Sequence, residues 1–164
     1  MKRKSGFRGF TLIEVMVVLL IVTVLAGVTM TRLPGFAQNA DFEEEKRRLQ
    51  VLFEMARQES ILDSSEFGFR LTNDGYKFLK FDDGSQSWVD VIGPFRERSL
   101  PDDFTLKIKT NRQGENLFGK KSPPIAILSS GENTPFQLIL SSGFHEHSIA
   151  LISEGYGEFY WEEL

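Results

Sequence analysis

The chain has 164 residues, 19 of them basic and 23 acidic, and no cysteine. That length suits one domain, or one domain with an appendage, but not two full-sized domains. The missing cysteine excludes disulfide scaffolds, thiolate metal sites and cysteine nucleophiles, and the acidic balance is opposite to that of a nonspecific nucleic-acid binder. The charge is unevenly spread. Residues 1–9 hold Lys2, Arg3, Lys4 and Arg8 and no acid; without those four the chain has 15 basic against 23 acidic residues.

From Phe10 to Met30, 16 of 21 residues are apolar and Glu14 is the only charge. A helix of that length reaches about 31 Å, enough to cross a hydrocarbon core of roughly 30 Å. The four preceding cations predict a cytoplasmic amino end, with everything after Met30 on the far side. A secretory signal peptide has a shorter apolar region of about 7–15 residues, although Val24-Leu25-Ala26 could serve as its cleavage site. A lipoprotein signal at Leu25-Ala26-Gly27 fails, because Val28 stands where the lipidated cysteine belongs. In a membrane anchor Glu14 is the anomaly. A carboxylate inside an apolar span costs at least about 2.5–3.5 kcal/mol, so it has a partner or a function unless it reaches the headgroup region.

Pro34-Gly35 follows, and proline kinks or ends a helix. A helical pattern restarts at Asp41, with Glu43 and Arg47, and Glu44 and Arg48, four apart in the favourable acid-first order. Leu49, Leu52, Phe53, Ala56 and Ser60 mark one stripe, widened by Met55 and Ile61, that packs on the chain's own domain. The helix should end near Asp63-Ser64-Ser65. Beyond it the pattern changes to short strands. Phe67, Phe69 and Leu71 alternate, Asn73-Asp74-Gly75 marks a tight turn, and Tyr76 to Phe81 returns. Trp88–Ile92 is a third strand, and Phe104, Leu106 and Ile108 alternate strictly with polar residues. Ile125–Leu128, Phe136–Leu140, Ser148–Ile152 and Glu158–Trp161 complete about eight strands. The expected fold is α+β: a long amino-terminal helix packed on antiparallel sheet, in two sheets rather than one. The expected segments are 1–9, 10–30 (membrane), 31–65 (helix continuing beyond the membrane) and 66–164 (globular β domain).

Candidates for chemistry are few. His145-Glu146-His147 puts two imidazoles on one face if extended, but a metal needs a third or fourth ligand, and no other histidine exists. Asp82-Asp83-Gly84-Ser85 lacks the alternating acids and distal glutamate of a calcium loop and reads as a hairpin turn. Ser129-Ser130-Gly131-Glu132 does not match the Gly-x-Ser-x-Gly nucleophile turn. Neither a metal, a cofactor nor an enzymatic role is expected. Two charge features stand out: residues 107–121 hold Lys107, Lys109, Arg112, Lys120 and Lys121 against Glu115, while Glu154, Glu158, Glu162 and Glu163 carry no neighbouring cation. They are either solvated surfaces or complementary contacts between neighbouring subunits.

Arg8-Gly9-Phe10-Thr11-Leu12-Ile13-Glu14-Val15-Met16 resembles the processing site of type IV pilins and type II secretion pseudopilins. That resemblance implies a basic leader ending in Gly9, cut by a prepilin peptidase before Phe10, and N-methylation of the new Phe10 amine. It implies that Glu14, the fifth mature residue, pairs with the amine of a neighbouring subunit. Ile125 to Leu138, containing Ser130-Gly131-Glu132-Asn133-Thr134-Pro135-Phe136, resembles the H-type minor pseudopilins of the GspH/FimT family, as does Ala56-Arg57-Gln58-Glu59. This implies a pilin-like fold, a single-pass anchor in the bacterial inner membrane and a periplasmic carboxy-terminal domain. The implied partners are the J-type minor subunit, the I–J–K tip complex and the major pseudopilin, with no nucleic acid. The subunit would sit near the tip of the pseudopilus that drives export across the outer membrane. A rival within the same family, a FimT- or FimU-like minor pilin that binds DNA, would need exposed cations on the carboxy-terminal face, where this chain has glutamates.

Overall fold

The computed structural model describes residues 10–30, 34–110, 122–143 and 148–164. Gly9 and the rest of the expected leader, the larger part of the basic 107–121 region and His145-Glu146-His147 lie outside them. The chain divides into two units, residues 1–43 and residues 44–164.

In the first unit, α1 (Leu12–Met30) is capped by Thr11. The Glu14 amide donates to Thr11 O at 3.0 Å and, longer, to Thr11 Oγ1 at 3.4 Å. Thr23 lies inside this helix, and its hydroxyl reaches back to Leu19 O and Leu20 O, both at 2.9 Å. Helix α2 (Pro34–Leu62) begins at its proline, a first-turn position where the missing N–H costs nothing.

Among the described residues, the second unit holds the rest of α2 and nine strands in two antiparallel sheets. The first sheet has the order β3-β2-β1-β6: β1 (Phe67–Leu71), β2 (Gly75–Asp82), β3 (Ser87–Asp90) and β6 (Ile125–Ile127), with the two-residue β4 (Arg98–Ser99) also on β2. The second has the order β5-β7-β8-β9: β5 (Phe104–Lys109), β7 (Phe136–Ser142), β8 (Ser148–Ser153) and β9 (Tyr160–Glu163). The α+β fold and the two antiparallel sheets match the expectation; the additional strand is β4, too short to leave a periodic pattern in sequence.

The core sits where α2 meets both sheets. Leu49, Leu52, Phe53, Ala56 and Ser60 are all buried, as the stripe requires. Ile61 is not: it is half exposed at the end of the helix, one residue past Ser60 and turned about 100° from it. The Phe53 ring lies 5.0 Å from Phe69 and 5.3 Å from Phe78 of the first sheet. It also lies 5.0 Å from Phe136 of the second sheet and 5.4 Å from Phe159. One side chain thus touches both sheets. The helix closes at Ser64, whose φ of 49° is left-handed.

Two turns differ in mechanism from the sequence expectation. Gly75 lies within β2, where an added Cβ would fall 2.0 Å from the Arg98 carbonyl oxygen; close approach of β4 requires the glycine. In the Asp82–Ser87 turn the left-handed residue is Gln86, at φ 50°, rather than Gly84.

Candidate functional site

The described part of the amino-terminal site begins at Phe10, which is exposed, as is every side chain from Phe10 to Leu25. A helix that is apolar all round and exposed all round has no face turned to a core of its own. Among the described residues, no helix is long and apolar enough to cross a membrane. Side chains of α1 are described through Leu25, about 21 Å of helix from Leu12, so the expected 10–30 span extends beyond them.

Thr11 at the cap and Glu14 three residues later form the Thr-x-x-Glu spacing of a capping box. The bond present is the one from the Glu14 amide to Thr11 Oγ1, a spacing that could have been read in the sequence. An acid in the first turn also meets the positive end of the helix dipole, worth about 0.3–1 kcal/mol. The carboxylate stays exposed and open to an outside partner.

Ser130 to Phe136, which carries the more specific resemblance, forms the junction between the two sheets. Gly131, at φ 85°, lets the chain reverse after β6, and Leu128 N bonds Glu132 O at 2.7 Å across the loop. Asn133 is buried: its Nδ2 donates to Thr134 O at 2.7 Å and Ser153 Oγ at 2.9 Å, and its backbone N donates to Gly155 O at 2.8 Å. Thr134 N bonds Ala126 O at 2.8 Å, and Ala126 N bonds Thr134 Oγ1 at 3.2 Å. Ser60 of α2 donates to Leu128 O at 3.0 Å. The segment has a structural purpose: it fastens β6, β8 and α2 together. Ser129 Oγ donates to Glu66 Oε1 at 3.4 Å.

Asp82 is occupied by its own turn. Its Oδ2 accepts from the Ser85 hydroxyl at 2.5 Å and from Ser85 N at 2.9 Å. These bonds, the hydroxyl first, hold the carboxyl below its ordinary range. Among the described residues, no group of acids and histidines could hold a metal ion.

The second sheet sorts the carboxy-terminal charges. Its strands alternate faces, so the face opposite Phe136, Leu138 and Leu151 carries two rows that cross all four strands. One row runs Lys107, Ile139, Ala150, Glu162, and the next runs Lys109, Gln137, Ile152, Tyr160. The cations sit on edge strand β5 and the carboxylate on edge strand β9, with the buried apolar cluster Ile139, Ala150 and Ile152 between them. A shallow groove of about 430 Å³ runs between Lys109 and Tyr160.

Comparison with known proteins agrees in both regions. The prokaryotic N-terminal methylation motif matches residues 1–30, and the type II transport protein GspH family model matches residues 45–155. Type II secretion system protein H of Pseudomonas aeruginosa is 35% identical, over 91% of this chain and 92% of that one. The protein of the same name in Aeromonas hydrophila is 24% identical over 85% of this chain and 83% of its own. Among solved structures, the minor pseudopilin EpsH from the type 2 secretion system of Vibrio cholerae superposes with a TM-score of 0.59 at 18% identity, covering 76% of this chain and 96% of that one. The solution structure of Escherichia coli GspH gives 0.53 at 15% identity, over 77% of this chain and 90% of that one.

Proposed function

The chain belongs to the GspH family of type II transport proteins, and on that premise we propose how it is processed, anchored and joined to its neighbours. It is a minor pseudopilin of the type II secretion system, a structural subunit in a family of structural subunits. Residues 1–9 are a leader, cut by a prepilin peptidase between Gly9 and Phe10, and the new Phe10 amine is then N-methylated. Residues 10–30 anchor the chain in the inner membrane, with the basic end in the cytoplasm and the β domain in the periplasm. The subunit stands near the pseudopilus tip, joining the I–J–K complex, through its J-type member, to the major subunits below.

The observation that carries the assembly mechanism is Glu14, an exposed carboxylate on an apolar helix whose described side chains are all exposed. Cleavage creates a positive amine at Phe10. Within a stack of subunits, that amine and the Glu14 of a neighbour each remove the other's cost of standing unpaired in a low dielectric. Their pairing then sets the axial register.

The capping box makes the test sharp. Gln serves a capping box as Glu does, so Glu14→Gln keeps the helix start and removes only the charge. Both Glu14→Gln and Glu14→Ala should insert and be cut, giving a mature protein that begins with methylated Phe10 by mass spectrometry, and both should fail to co-assemble. Normal co-assembly of Glu14→Gln would overturn the pairing. An intact leader in cells with active peptidase would remove the processing step, and absence of a J-type neighbour in membrane crosslinking would remove the tip position.

A further inference from the structure

Strand β5 carries an open edge: among the described residues only β7 pairs with it, on one side. The bond from Gly143 N to Asp103 O, at 2.9 Å, fixes which of its backbone groups point where. Because the antiparallel pattern alternates, Thr105, Lys107 and Lys109 turn their N–H and C=O groups to β7. Leu106 and Ile108 turn theirs outward, and among the described residues nothing bonds them there. Such an edge is a template for another strand.

The side chains specify which strand it takes. On the outer face of the sheet Lys107 and Lys109 are exposed and make no ion pair among the described residues, whereas Arg57, Lys77 and Lys80 each meet an acid. On the inner face Leu106 and Ile108 are only half-buried, although Leu140 and Leu138 opposite them are fully buried. A groove of about 550 Å³ opens beside β5, lined by Leu71, Leu100, Phe104 and Leu106. A strand laid along β5 alternates faces as β5 does. One set of its side chains enters beside the leucines, and the other lies against the lysines. Two β5 edges refuse one another, because pairing them would set lysines of both on one face.

We propose that the β5 edge receives an extended segment of a different pseudopilin, apolar on the face toward Leu106 and acidic on the face toward Lys107 and Lys109. This rests on the reading that the chain stands between a different minor subunit and the major subunits. Backbone bonds to Leu106 and Ile108 supply affinity, and the lysines select the partner. Asp102, and Asp74 whose carbonyl accepts from Leu100 N at 2.8 Å, line the groove ahead of Phe104. Their charge keeps the guest's carboxylates toward Lys107 and Lys109 and so sets its lengthwise register.

The purified full chain in lipid nanodiscs gives the first test. Amides of Leu106 and Ile108 should exchange with solvent at least about tenfold faster than those of Lys107 and Lys109; equally slow exchange would mean the edge is already covered, and would overturn the site. The second test is made in cells with the assembled secretion system. Thr105, exposed and on the same face as the lysines, is replaced by the photo-crosslinker p-benzoylphenylalanine. Light should join it to another pseudopilin, and mass spectrometry should place the link in an extended, acidic segment. Lys107→Glu combined with Lys109→Glu should lower the yield about tenfold, with protein level and Phe10 processing unchanged. No link sinks the proposal, as does a link to a second copy, to a helix or to a protein other than a pseudopilin, or a yield untouched by the two glutamates. The same crosslinker at Leu19, on the exposed apolar helix, tells two failures apart. Pseudopilins captured from Leu19 but not from Thr105 would remove the edge site alone, and none captured from either would remove the reading beneath it.

Discussion

Glu45 is 4% exposed, a burial that an unpaired carboxylate does not tolerate. It is held by Arg48 three residues along α2 and by the Tyr76 hydroxyl, which donates to its Oε1 at 2.6 Å. Burial first, then the hydrogen bond to Glu45 and its charge, push the Tyr76 phenol well above its ordinary range. The folded state therefore favours the neutral phenol. The resulting stabilisation is fully present below the unfolded value of about 10 and is lost as pH rises past it. Tyr76→Phe should remove that alkaline dependence and, by leaving Glu45 one donor short, lower stability by about 1–3 kcal/mol. Urea denaturation at neutral and alkaline pH measures both effects. Gly75 is a second position governed by a single contact. Gly75→Ala would drive a methyl group against the Arg98 carbonyl and lift β4 from β2, lowering stability by about 1–3 kcal/mol in the same assay. Neither effect is legible in sequence, because both depend on a residue more than twenty positions away.

At the level of elements, α2 organises the domain. Its periodic stripe is readable in the sequence because the buried positions recur at the helical repeat, and Leu49, Phe53, Ala56 and Ser60 all fill it. What periodicity does not disclose is that the stripe serves two sheets, or that the chain crosses back over the helix. Gln50 donates to Phe159 O at 3.3 Å and accepts from Trp161 Nε1 at 3.1 Å, while Arg57 donates to Gly157 O at 2.6 Å. Phe53→Ala should cost about 3–5 kcal/mol, the usual range for deleting a buried ring. Ile61→Ser, on the exposed end of the same helix, should stay within about 0.5 kcal/mol. The ratio of the two, measured by chemical denaturation, shows whether the core lies where the rings meet. The strands were legible where they alternate, as in Phe104–Lys109. β4 was not, and the junction at Asn133 could be seen only as a resemblance, since its bonds to Ser153 and Gly155 join residues 20 or more positions apart.

For the whole molecule, the division at residue 43 carries a prediction about independence. Every side chain of the aromatic cluster around Phe53 lies in residues 44–164. A fragment beginning at Glu44 should unfold in a single transition, with a midpoint within about 5 °C of the β domain in the full chain. Calorimetry of the two proteins decides it; a fragment that melts broadly or far lower would show that residues 1–43 contribute to the domain. The amino-terminal motif was the most legible part of the sequence, because it is local: Gly9, Phe10 and Glu14 lie within six consecutive positions. The arrangement of the second sheet was the least legible, since the charges on its two edge strands are separated by more than fifty residues. The ties from Gln50, Arg57 and Ser60 to the rest of the domain have a mechanical consequence. They are spread along the helix, so tension applied along its axis loads them side by side, in shear, and they share the force. Force applied across the strands would break bonds one after another, as a zipper opens. A subunit hung from α2 in this way resists being dragged lengthwise far better than being peeled.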